Sequence, residues 1–158
     1  MKSLISVNNQ VPLSKIVAFV FEEFDVVVEN RGNVDRDYWF IWRDPNPRKE
    51  DYEPVRITCD GDNIISALFR DFHWKNKTCP NPYNDEDNKA EVAFIPWSHT
   101  PRIRKQNDRY FEIWTKNFME RKEDFNFSDE VIPNYYIVAG DKGYHPPQVY
   151  YEGWPELR

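Results

Sequence analysis

The 158 residues carry 40% apolar and 16% aromatic side chains, enough to bury one sizeable core, so wholesale disorder and low-complexity architecture are excluded. A formal charge of −6 excludes a uniformly basic nucleic-acid coat. The opening apolar run ends at Asn8, Asn9 and Gln10, too soon for a secretory leader or a membrane span, and a cytoplasmic location is expected. Cys59 and Cys79 lack metal-ligand spacing and are expected as two buried thiols rather than a bridge. A single domain over 1–158 is expected.

In chain order, Ser14 is a plausible cap for a helix over about 14–23, with Ile16, Val17, Phe19, Val20 and Phe24 on its buried side. Residues 25–29 are β-branched and predict a strand. The turn residues Asn30, Gly32 and Asn33 predict a hairpin whose return strand is 38–42. Five consecutive large apolar residues there, Tyr38 to Trp42, suggest a strand covered on both faces. Pro45 and Pro47 stop it, and a third strand is expected over 53–59. Asp62 then reads as the cap of a short helix carrying Ile64, Ile65, Leu68, Phe69 and Phe72 at helical spacing.

The stretch 73–88 is polar and reads as a long loop, of the kind more often functional than connective. A strand over 91–95 follows. A longer helix over 103–122 is expected from the recurrence of Tyr110, Phe111, Trp114, Phe118 and Met119 at three and four. Two late strands, 135–139 and 149–151, flank turn residues at 141–143. These elements predict an α+β fold: a mixed or mostly antiparallel sheet packed by two to three helices.

Two segments can carry chemistry. The first is the acidic loop of Asp85, Glu86 and Asp87, with Lys89 just beyond. Carboxylate oxygens suit Mg2+ or Mn2+, which can activate a water and polarise a phosphodiester, while a neighbouring lysine stabilises the charge that develops. Asp60 or Asp62 could supply a partner acid. The second is the basic run Arg102, Arg104, Lys105 and Arg109, with His99 ahead of it, which can hold a phosphate backbone without reading sequence. Residues 98–122 hold seven Lys or Arg against three Asp or Glu, a local charge of +4, so the remaining chain carries −10. One expected strand separates the two segments, so they can share a face. Asp60, Gly61 and Asp62 are explained by a turn, the three histidines are isolated, and the paired tyrosines fit sheet packing. Trp74 and Trp97 are explicable equally as exposed rings and as core lids.

With its ring-rich, Gly-poor composition and its Asp85, Glu86, Asp87 loop, the chain resembles the small nucleases of filamentous viruses of hyperthermophilic archaea. The resemblance implies an α+β fold distantly similar to nucleotidyltransferases, cleavage of linear double-stranded DNA, and Glu86 as the essential carboxylate. No Gly here is followed by Ser, as nucleotidyltransferases require, which favours hydrolysis over nucleotidyl transfer. The expectation is a metal-dependent deoxyribonuclease. Glu86 and Lys89 would be catalytic, Asp85 and Asp87 metal ligands, and His99, Arg102, Arg104, Lys105 and Arg109 the DNA contacts. The rivals are a small acidic protein that blocks a nucleic-acid enzyme or defence factor, and a DNA-binding protein without catalysis.

Overall fold

The computed structural model describes residues 15–20, 24–29, 34–43, 50–71, 75–95, 98–120, 131–132 and 147–155. Strands β2 (Asp25–Glu29), β3 (Asp35–Arg43), β4 (Glu50–Asp60), β5 (Asn63–Asp71) and β6 (Lys75–Pro80) pair in sequence order as an antiparallel meander. A second sheet joins β1 (Ile16–Phe19), β7 (Ala90–Phe94), β8 (Pro101–Ile103) and β9 (Val131–Ile132) in the order β8, β7, β1, β9. In it β1 and β7 run parallel, with Ile16 beside Ala90, so the whole meander lies in the connection between two neighbouring strands.

Side chains alternate across each strand, and the two sheets meet through their facing sets. Tyr38, Phe40 and Trp42 of β3, with Val55 and Ile57 of β4, share one core with Ile16, Ala18, Val92 and Phe94. Phe94 lies 4.5 Å from the ring of Phe40 and 5.0 Å from that of Trp42, spacings at which aromatic pairs add to simple burial. The opposite face of β3 carries Trp39 and Ile41, and with Tyr52 these are covered by the chain's last described segment. A short 3-10 turn, Gln148–Tyr151, sets Tyr151 against Trp39 at 4.9 Å and Tyr150 against Tyr52 at 4.6 Å. Burial on both faces is why β3 reads as five consecutive large apolar residues.

That covered face also holds buried charge. Arg56 Nε and Nη2 donate to the two carboxylate oxygens of Asp37 at 2.6 and 3.0 Å, and Trp154 Nε1 donates to Asp37 Oδ2 at 3.0 Å. Arg56 also donates to the Pro155 carbonyl, and Arg70 to that of Glu152 at 2.8 Å. The guanidinium groups of Arg56 and Arg70 lie 5.4 and 5.3 Å from the Trp154 ring. Each charge therefore exchanges hydration for directed bonds.

The single α-helix of the described residues, α1 (Arg109–Glu120), lies over the other sheet. Its fully buried Phe111 meets Phe19 of β1 edge-on at 6.1 Å. Asp108 starts the helix by accepting from Phe111 N at 3.1 Å through Oδ1 and from Lys105 N at 3.1 Å through Oδ2.

The expected α+β architecture, one sheet packed by two to three helices, is corrected: the described residues form a mostly β fold of two sheets with one helix. Each misassigned element has a physical cause. The expected helix at 14–23 is strand β1 over its described part: Ile16 and Ala18 are buried while Val17 and Phe19 on the other face are half-buried and also apolar, so the sequence shows no period of two. The expected helix after Asp62 is β5. A bulge shifts its register between Thr58 and Cys59, pairing Cys59 with Ile64 and Thr58 with Ser66, and leaves Ile65 exposed and outside the register with β4. The inserted residue spaces the core positions Ile64 and Ala67 by three, which imitates a helix.

Strand β6 occupies part of the expected loop 73–88, and the helix expected from 103 starts at Arg109 because Ile103 belongs to β8. Residues 149–151 form the 3-10 turn instead of a strand. The expected turn at 30–33, the break at 44–47, the strand at 135–139 and the turn at 141–143 lie outside the described residues, as do His73, Trp74, Trp97 and His145. Cys59 and Cys79 are free and buried, and burial pushes both thiols above their usual range. No helix among the described residues is long and apolar enough to cross a membrane.

Candidate functional site

The two segments singled out by composition sit at the ends of one strand and along its neighbour. β7 pairs with β8 so that Val92 lies opposite Ile103 and Ala93 opposite Arg102. Beyond β8, Arg104 N donates to the Glu91 carbonyl at 2.9 Å, and Tyr83 N donates to the Arg104 carbonyl at 3.0 Å. Gln106 Nε2 donates to the Pro82 carbonyl at 3.2 Å. The chain just before the acidic loop is thereby tied to the basic run, and the two meet at one end of β7.

Within the acidic loop the carboxylates have different duties. Asp85 Oδ1 accepts from the backbone N–H groups of Asp87 at 2.8 Å and Lys89 at 2.9 Å, closing the turn with the Asp85 N to Lys89 O bond of 2.9 Å. Asn88 takes up a φ of 58°, a region Asn tolerates better than most residues. Asp85 is thus a turn former, while Glu86 and Asp87 are exposed at the tip. Beneath the loop lies Lys15, which is buried although lysine is rarely found so without partners. Its Nζ donates to the carbonyls of Asp62 at 2.9 Å and Asn88 at 3.2 Å, and ion-pairs with Asp62 Oδ1 at 3.5 Å. Lys15 thereby ties the β4–β5 turn to the end of the acidic loop at Asn88. Among the described residues, however, no three His, Cys, Asp or Glu side chains converge as a metal cage.

The basic residues also divide. Arg104 is committed to the fold: Nη1 donates to Glu91 at 2.9 Å, Nη2 to Glu112 at 2.6 Å, and its guanidinium lies 3.7 Å from the Tyr83 ring. Burial works against its charge, but the two carboxylates outweigh it and hold Arg104 above its usual range. Arg102, Lys105 and Arg109 are exposed. Arg102 lies 4.6 Å over the ring of Tyr110, which is itself 64% exposed. The acids nearby are engaged, Glu91 and Glu112 on Arg104 and Asp108 on two backbone N–H groups. What faces solvent is a cationic ridge with one aromatic ring.

His99 stands apart, at the opposite end of β7 from the acidic loop. Its ring stacks on Trp42 at 4.2 Å and 4°, and its Nδ1 lies 2.7 Å from Asp51 Oδ2. Its φ of 58° is unusual for a side chain of this size and is held by that stacking and by its N–H bond to the Ile95 carbonyl at 2.8 Å. His99 closes the end of the core, and the structure does not group it with Arg102 and Arg109.

Lys15 and Asp51 escaped the sequence analysis, and Tyr110, expected on the apolar face of the helix, is exposed instead. Lys15 and Asp51 act across separations of 47, 73 and 48 residues, which no local pattern reveals. For Tyr110 a signal existed. Tyr110 and Phe111 are adjacent, so on any helix their side chains leave about 100° apart and both cannot point squarely into the core. Compared with family models, curated proteins and solved structures, the chain matches none.

Proposed function

We propose that this protein binds the phosphate backbone of nucleic acid along the ridge of Arg102, Lys105 and Arg109. The observation that carries the reading is the division of labour among its charges. Three cations are exposed while the neighbouring carboxylates are spent on Arg104 and on the cap of α1. A strand of phosphates laid there meets positive charge, and the −10 carried by the rest of the chain confines binding to this ridge. Each phosphate contact adds a salt dependence of about −0.9 to the logarithmic slope of affinity. Fluorescence anisotropy with labelled DNA across a salt series tests it. Arg102→Ala with Arg109→Ala should weaken binding and flatten the slope by about 2. Unchanged binding in that variant, or none by the wild type at low salt, refutes the reading. Residence in a reducing cytoplasm is part of the proposal and suits two buried free thiols.

A second reading, divalent-metal-dependent hydrolysis of double-stranded DNA, is favoured by one observation: Lys15 ties the Asp62 turn to Asn88, the residue after Asp87. Asp62, Glu86 and Asp87 would be the carboxylates to hold Mg2+ or Mn2+, although Asp85 is spent on its turn and no cage of three is preformed among the described residues. The bound ion would supply Lewis acidity and an activated water. Incubation with linear duplex DNA, with magnesium and with EDTA, decides it. Cleavage that requires the metal and disappears in Glu86→Ala, with an unchanged melt, supports hydrolysis. DNA left intact under both conditions leaves binding alone.

A further inference from the structure

We infer that the preferred ligand of this ridge is a single strand, one of whose bases stacks on Tyr110. The inference rests on the nucleic-acid reading above and names its substrate class.

It starts from a ring in an uncommon position. Tyr110 is the second residue of α1, one position before Phe111, so the two side chains leave the helix about 100° apart. Phe111 goes into the core and Tyr110 stays 64% exposed. An exposed tyrosine is ordinarily a mobile side chain, but this one carries the Arg102 guanidinium at 4.6 Å from its centroid. Arg102 projects from β8, opposite Ala93 in the second sheet, so the ring is steadied by a different element from its own. One face is covered by a cation, and the high exposure leaves the other to solvent. Ile113, 55% exposed, follows one helical turn later and extends the apolar surface beside the ring.

This combination suits bases that are out of a helix. In a duplex the base faces are covered by their neighbours, and an exposed ring on a protein surface gains nothing from them. In a single strand each unstacked base offers a π-face, and an aromatic ring next to a cationic track can hold base and phosphate together. Arg102 serves both parts, steadying the ring and presenting charge to the backbone. Because every base has a π-face, little sequence preference is expected. Nothing in the ring-and-cation pair distinguishes ribose from deoxyribose, so oligo-dT and oligo-U are both arms of the test.

The experiment is fluorescence anisotropy on the full chain with labelled oligo-dT, oligo-U and a duplex of equal length, at one fixed salt concentration. Single strands should bind more tightly than the duplex. Tyr110→Ala should weaken single-strand binding by about ten-fold or more, within the range found for losing one base–aromatic stack. The same variant should weaken duplex binding far less, so that the preference for single strands falls. Tyr110→Phe keeps the ring and should bind as the wild type does, and an unchanged thermal melt in both variants shows that the fold is intact. Equal binding of strand and duplex, with Tyr110→Ala indistinguishable from wild type, overturns the inference and leaves backbone binding standing. Failure to bind any of the three ligands overturns both.

Discussion

Arginine meets an aromatic ring beside each of the two sheets, and two of these encounters serve different ends. On the meander, Arg56 and Arg70 lie 5.4 and 5.3 Å from Trp154, a ring only 7% exposed. On the other sheet, Arg102 lies 4.6 Å from Tyr110, a ring 64% exposed. Distance does not separate them. What does is the remaining bonding of the charged groups. Arg56 is held by both oxygens of Asp37 and by a backbone carbonyl, and Arg70 by another, so these pairs are part of the architecture. Arg102 stays exposed beside carboxylates already committed elsewhere. A cation–π contact therefore identifies a binding surface only once burial and competing partners have been read with it.

The comparison can be broken most forcefully at Asp37. Replacing it by Ala takes the carboxylate from the buried guanidinium of Arg56 and removes the acceptor of Trp154 Nε1. A loss of about 3–5 kcal/mol is expected, the usual result of removing one partner of a buried pair, and chemical denaturation measures it. A shift below about 1 kcal/mol would make that face no more architectural than the ridge.

An intermediate effect comes from pH, and it should originate in the interior. Burial raises the Cys59 and Cys79 thiols above their usual value near 9.0, and it also raises the Tyr38 phenol. With folded pKa values above unfolded ones, the contribution is fully present below the unfolded values. It is lost as pH rises, because the unfolded chain releases protons that the folded chain retains. The melting temperature should fall from pH 8 towards pH 10, and Cys79→Ala should make the decline shallower. A melting temperature that rises over that interval contradicts the assignment.

The smallest expected effect is on the ridge. Arg102→Ala should change stability by no more than about 0.5 kcal/mol, as surface substitutions usually do, while nucleic-acid affinity falls. A large loss of stability there would erase the contrast between the two surfaces.

Sequence patterns reached parts of this arrangement and stopped at identifiable points. β3 was legible because five large apolar residues in a row require cover on both sides. β5 was not, because the bulge at Ile65 converts period two into a spacing of three at that point. β1 was missed because its half-buried face carries Val17 and Phe19, apolar like the buried one, so no alternation shows. In the candidate site, the basic run announced itself by local charge density, but density could not separate Arg104, consumed by Glu91 and Glu112, from its exposed neighbours. The acidic loop was equally visible. That Asp85 is a turn former follows only from which N–H groups its oxygen meets.

The parallel pairing of β1 with β7 bears on how the chain reaches this state. The meander is built from strands adjacent in sequence, so its hairpins can close quickly and early. Ile16, by contrast, must wait for Ala90, and closing so long a loop carries an entropic penalty that only the finished meander shortens. During synthesis β1 emerges first yet is secured late. Its pairing with β7 therefore becomes possible only after every strand of the meander has been made.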